Sequence, residues 1–129
     1  MLPSKIKKLR IKIIQSLYQY DFYHNEIPDY HTIYEDKTVF KYIIDNIVLI
    51  DKIIQKNLYN YDINRLNKVD KAIIRLATLE LLEKKISHKI IINEAIKITK
   101  EYSSLMDNKQ YKFNNKILHL IYEDIQCAK

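Results

Sequence analysis

Apolar residues recur along this chain at steps of three and four and nowhere alternate with period two over a useful length. That spacing is the mark of helices with one buried face. From Ser4 to Phe22, the residues Ile6, Leu9, Ile13, Leu17 and Tyr20 fall in one stripe, with Lys5, Lys8, Lys12, Gln15 and Gln19 opposite. Ser4 is placed to cap this helix, because its hydroxyl can accept a first-turn N–H. A flanking strip carries Lys7, Ile11, Ile14, Tyr18 and Phe22. The stretch from His24 to His31 contains Pro28 and reads as a loop, since proline cannot extend a helix and its predecessor avoids the α region. Phe40, Ile43, Ile47, Ile50, Ile54 and Leu58 then mark one long core helix from Glu35 to Leu58. Tyr59 to Lys68 is a connector with one turn near Ile63 to Leu66.

From Val69 to Lys85 apolar residues cover more than one face, which predicts the most buried helix. Ser87 is placed to cap a helix from His88 to Tyr102 with Ile91, Ala95, Ile98 and Tyr102 inward. After a loop over Ser103 to Lys109, a last helix spans Gln110 to Ile125 with Phe113, Ile117, Leu118 and Ile121. The pattern predicts one all-α domain over residues 1–129, with five main helices and one or two short ones.

Composition removes whole classes of function. The chain has no glycine, so a phosphate-cradling P-loop, a dinucleotide turn, a nucleophile elbow and a glycine hairpin are all excluded. Helix ends that need the left-handed conformation then fall to asparagine, with Asn25, Asn60 and Asn108 as candidates. Cys127 is the one cysteine, so no intrachain disulfide or thiolate zinc site is expected. None of the four histidines has the partner of a helical zinc site, and no cofactor or catalytic constellation emerges. The longest apolar run, Ile47 to Ile50, falls far short of the roughly twenty residues of a membrane span. A soluble, cytoplasmic, non-enzymatic protein is the expectation. Glu80 lies on an apolar face between Ile73 and Leu76. It is read as a structural carboxylate that pairs with a cation or with the N–H groups opening the next helix.

The net charge is +6, and Ile, Lys, Asn and Tyr dominate in the manner of an AT-rich genome, so bulk basicity says less than its placement. Residues 1–20 carry +5, and the other 109 carry +1. Three readings fit such a helix: a solvated lysine face, a membrane-surface or presequence helix, and a nucleic-acid contact. Tyr18, Tyr20 and Asp21 weigh against the second. A second patch favours the third, because Lys109, Lys112 and Lys116 recur beside Phe113 with no acid between Asp107 and Glu123. Lysines hold phosphates while an aromatic stacks on an unpaired base, although Phe113 fits core packing equally well. If the terminal helices pack together, the two strips form one surface.

Several blocks in order resemble the NusB transcription antitermination family. They are Gln15-Ser16-Leu17-Tyr18-Gln19-Tyr20-Asp21, Asn64-Arg65-Leu66 with Val69 to Ala77 and Leu79-Glu80-Leu81, Ile92-Asn93-Glu94-Ala95-Ile96, and Lys112-Phe113-Asn114-Asn115-Lys116-Ile117-Leu118. The resemblance implies two small helical subbundles totalling about six to seven helices, and an RNA-binding antitermination factor that promotes ribosomal RNA transcription. It also implies boxA-type single-stranded RNA, the ribosomal protein NusE and the RNA polymerase antitermination complex as partners, with the free protein a monomer or a homodimer. Carried over by position, it suggests Lys7, Lys8 and Arg10 as phosphate contacts, Tyr18 and Phe113 as base contacts with Lys112 beside them, and Asp70 on the NusE surface.

Departures from the family pattern are equally specific. Lys116 stands where the family has glycine, Asn114 where it has valine and Ser87 where it has proline, while the loop from Ser103 to Lys109 is longer. Family arginines near the N-terminus are mostly lysines here, which lack bidentate geometry. Two other readings remain beside this one: a helical domain related to the N-terminal domain of a ribosomal RNA methyltransferase, and a protein–protein adaptor.

Overall fold

The computed structural model describes residues 3–22, 37–59, 61–102 and 109–127. Over these the chain is all-α, with six α-helices: α1 (Pro3–Phe22), α2 (Lys37–Asp45), α3 (Ile47–Lys56), α4 (Lys68–Glu83), α5 (His88–Tyr102) and α6 (Gln110–Cys127). A 3₁₀ turn at Ile63–Arg65 precedes α4. Residues 23–36, with the loop expected from His24 to His31, the asparagine caps proposed at Asn25, Asn60 and Asn108, and residues 103–108 lie outside the described residues. α1 begins at Pro3, where a missing N–H costs nothing, and the Ser4 side chain lies outside the described residues.

α4 is the axis of the molecule, with α1, α3, α5 and α6 all packed on it and α5 also on α6. Every residue from Asp70 to Leu79 is buried, as is Leu81, which is what apolar residues on more than one face require. Its start is capped by Asn67, whose side chain accepts the Val69 N–H at 2.8 Å. Its end turns at Lys84 with φ 58° and ψ 25°. In a chain without glycine a lysine takes this left-handed position, at a cost of about 1 kcal/mol. The backbone N–H of Lys84 still closes the helix on the Glu80 carbonyl.

Two expectations about the helices need correction. The single core helix over Glu35 to Leu58 is two helices, broken at Asn46. The Asn46 amide donates to the Tyr42 carbonyl at 2.8 Å, a side-chain bond that competes with the helical ladder. In α1, Leu9 is exposed and Arg10 is buried in its place, with Ile13, Ile14, Leu17 and Tyr20 completing the inner face.

α1 is anchored to α4 by charge as well as by apolar contact. Asp21 in its last turn receives Lys71 at 2.7 Å and Lys68 at 2.8 Å, and Arg75 reaches Asp51 of α3 through two bonds of 2.7 and 2.8 Å. Burial alone would raise the Asp21 carboxyl, but the two ammonium groups and the nearby Arg75 hold it below its ordinary value. At the start of α5, Ser87 Oγ accepts the Lys89 N–H at 3.3 Å, as expected of a cap. The His88 ring stacks on Tyr122 of α6 with centroids 3.8 Å apart.

Candidate nucleic-acid interface

The basic residues of α1 meet different fates. Lys7 Nζ lies 2.6 Å from Glu101 of α5 in a half-exposed pair, and that carboxylate raises the Lys7 ammonium above its ordinary value. Arg10 is 6% exposed. Its guanidinium grips Glu80 of α4 in a two-pronged bond, with Nε 3.1 Å and Nη2 2.9 Å from Oε2. Burial pushes the Glu80 carboxyl up, and Arg10 partly offsets this. Arg10 is therefore withdrawn from the solvent face where a phosphate contact was expected, because a buried carboxylate needs its charge more. Of the two options for Glu80, the structure selects the cation. Lys8 is exposed and Lys12 half-buried, and neither forms an ion pair among the described residues.

Tyr18 is 38% exposed. It lines a groove of about 540 Å³ together with Ile11, Ile14, Val69, Ile98 and Tyr102. Apolar walls with tyrosines among them suit a flat ring better than a charged group.

The start of α6 is built differently. Lys112 and Lys116 are exposed and form no ion pair among the described residues. Phe113 is 37% exposed and lies on the surface beside them, which settles its placement against full core burial. α6 runs unbroken past Lys116, so the family glycine is replaced without interrupting the helix.

The terminal helices each pack on α4 and not along one another, so they do not form one surface by direct contact. The last turn of α5 lies between them instead. Glu101 reaches Lys7 of α1, and Lys100 Nζ sits 4.5 Å from the centre of the Tyr111 ring of α6. Tyr111 did not stand out in the sequence, because its juxtaposition with Lys100 needs the α5–α6 packing. Tyr61 in the connector was also missed. Its ring lies against Phe113 with centroids 6.1 Å apart.

Asp70 requires a second correction. It is 1% exposed and points into the molecule, so it presents no surface to a partner. Asn114 Nδ2 donates to Asp70 Oδ1 and to Thr99 Oγ1, each at 3.1 Å, and Gln110 donates to Asn114 Oδ1 at the same distance. The acid sits in the first turn of α4, where the helix end favours negative charge. Through Asn114 it is tied to α6, a buried amide donating to a buried carboxylate.

Among the described residues no helix is long and apolar enough to cross a membrane, and no three His, Cys, Asp or Glu side chains gather to hold a metal.

Comparison with known proteins agrees with this architecture. A chain solved in the crystal structure of a plectonemic RNA supercoil shares the fold, with TM-score 0.77 at 24% identity over 95% of this chain and 97% of that one. T. maritima NusB superposes with TM-score 0.72 at 32% identity, covering 92% of this chain and 90% of that chain. The transcription antitermination protein NusB of Buchnera aphidicola subsp. Cinara cedri is 38% identical over 135 aligned positions, covering 93% of this chain and 92% of its own length. The NusB family model matches residues 7–123, and the chain belongs to the NusB family of transcription antitermination proteins.

Proposed function

We propose that this protein binds boxA-type single-stranded RNA together with the ribosomal protein NusE, and acts in the cytoplasm on the RNA polymerase antitermination complex to promote ribosomal RNA transcription. The reading contains no catalytic step. The observation that carries it is the start of α6, where an exposed Phe113 stands beside Lys112 and Lys116, which pair with no acid among the described residues. Such a surface lets cations follow the phosphates while a ring stacks on a base, the pattern of single-strand binding. Lys112 and Phe113 form one half of this surface; Lys7, Lys8 and Tyr18 form the other, with Lys7 shared with Glu101. Arg10 acts by fixing α1 on α4, and Asp70 by fixing α6.

The test is a titration of boxA-type RNA, with and without NusE, over a range of salt. Log affinity falls with log salt at a slope of about −0.7 per phosphate contact. Salt-independent binding, or no binding even with NusE present, refutes the proposal.

A further inference from the structure

Single-strand surfaces work best when their rings are held in place before the nucleic acid arrives, because ordering a side chain at the moment of binding subtracts from affinity. The connector before α4 holds one ring in this way. Tyr61 is 41% exposed, yet its backbone and hydroxyl are both tied down. Its carbonyl accepts Gln55 Nε2 at 2.8 Å, and its hydroxyl donates to the Arg65 carbonyl at 3.3 Å. The same Gln55 accepts the Ile63 N–H at 2.9 Å, and Asp62 accepts the Asn64 N–H at 2.8 Å, so the whole turn is braced. A tyrosine in a free loop would turn away or bury itself; this one is fixed with its ring in the open.

That ring meets Phe113 at an interplanar angle of 52°. Two rings in contact at this angle form a corner, not a slot, so no base passes between them. A base laid flat on one ring is closed at its side by the other. The nearby cations favour such a guest: Arg65, Lys112 and Lys116 are exposed and none pairs with an acid among the described residues. The acid beside them, Asp62, is committed to its own turn.

We propose that Tyr61 and Phe113 together form a subsite for one unpaired RNA base, with Tyr61 a second stacking residue on the connector before α4. This rests on the RNA-binding reading above and extends it from α6 to a second element. The guest is a base from a single strand, since a ring corner reads a π-face and a duplex presents none.

The test uses the full chain and a labelled boxA-type single-stranded RNA at fixed salt, with and without NusE. Tyr61→Ala weakens RNA binding about 10-fold, the size of one lost base–aromatic stack. Tyr61→Phe keeps the ring and loses only the hydroxyl bond, so it stays close to wild type. A series of RNAs with one abasic position each then identifies the guest, because at one position the Tyr61→Ala loss disappears. The inference fails if Tyr61→Ala binds RNA as tightly as wild type, if Tyr61→Phe loses as much as Tyr61→Ala, or if no abasic position absorbs the loss. It fails also if Tyr61→Ala weakens NusE association alone, which would make the corner a protein contact. Wild-type protein that binds RNA while Tyr61→Ala proves neutral removes this subsite and leaves the broader function standing; wild type that binds no RNA removes both.

Discussion

The two basic ends of the molecule look alike in sequence and differ in what surrounds them. On α1, Lys7 faces Glu101 and Arg10 faces Glu80, so two of the cations nearest the N-terminus are spent on holding helices together. At the start of α6, Lys112 and Lys116 face no acid among the described residues, and the buried polar group that fixes the helix is the neutral Asn114. A cation is available to a phosphate only if no helix across from it supplies a carboxylate. On the proposed reading, the α1 strip contributes structure and some binding, whereas the α6 strip is left for binding.

The largest test of this contrast is the Arg10–Glu80 pair. Removing one partner of a buried pair strands the other charge, so Arg10→Ala or Glu80→Leu lowers the unfolding free energy by about 3–5 kcal/mol in urea titration. RNA affinity, measured on the folded fraction at low temperature, stays near wild type. If Arg10→Ala keeps its stability but loses RNA affinity, α1 is a binding strip like α6 and the contrast collapses.

Next in size is the α6 strip itself. Phe113→Ala costs about 1–3 kcal/mol of RNA affinity. Its ring is partly exposed, so the urea midpoint moves less than for Arg10→Ala. Lys112→Ala reduces the salt slope by about 0.7, the signature of one phosphate contact. A Phe113→Ala variant that loses stability and keeps its affinity would make that ring a packing residue and reverse the assignment of the two ends.

The helical pattern was legible in the sequence because burial follows periodicity. α4, α5 and α6 begin within a residue or so of their expected starts, and the capping role of Ser87 is seen in its bond to Lys89. The exposure of Lys112 could be read from local spacing, whereas Phe113 fits core packing equally well on spacing alone and only the structure places it on the surface. Arg10, Asp70 and Tyr61 could not be read from local spacing either. Their roles are set by Glu80, Asn114 and Phe113, which lie 70, 44 and 52 positions away in the chain. Asn46 was overlooked for another reason: an apolar stripe survives a one-residue break, so the stripe alone does not show where a side-chain bond interrupts the backbone.

A smaller effect separates the two ends by pH. Asp21 anchors the far end of α1, and its folded carboxyl lies below the ordinary value of 3.8. The unfolded chain therefore takes up this proton first as acid is added. The stabilisation from Asp21 is complete above about pH 5 and fades as pH falls through 3.8 toward the folded value. Glu80 runs the other way: its raised folded carboxyl takes up a proton before the unfolded one, so its contribution to stability improves as pH falls through the range just above 4.5. In urea titrations the stability gap between wild type and Asp21→Asn is widest near neutrality and closes below pH 4. A gap unchanged down to pH 2 would show that the Asp21 network holds α1 through packing, not charge.

The smallest effect sharpens the contrast most directly. Lys7 differs from Lys112 chiefly in having Glu101 opposite, and the pair is half-exposed, so water and salt already screen it. Glu101→Gln removes the competing carboxylate and leaves the lysine in place. Stability barely changes, while RNA affinity at low salt rises and the salt slope steepens, because Lys7 gains a share of a phosphate. Lys7→Ala in the Glu101→Gln background returns both quantities to the level of Lys7→Ala alone. If Glu101→Gln leaves affinity unaltered at every salt concentration, Lys7 lies off the RNA path, and α1 reaches the strand through Lys8 and Tyr18.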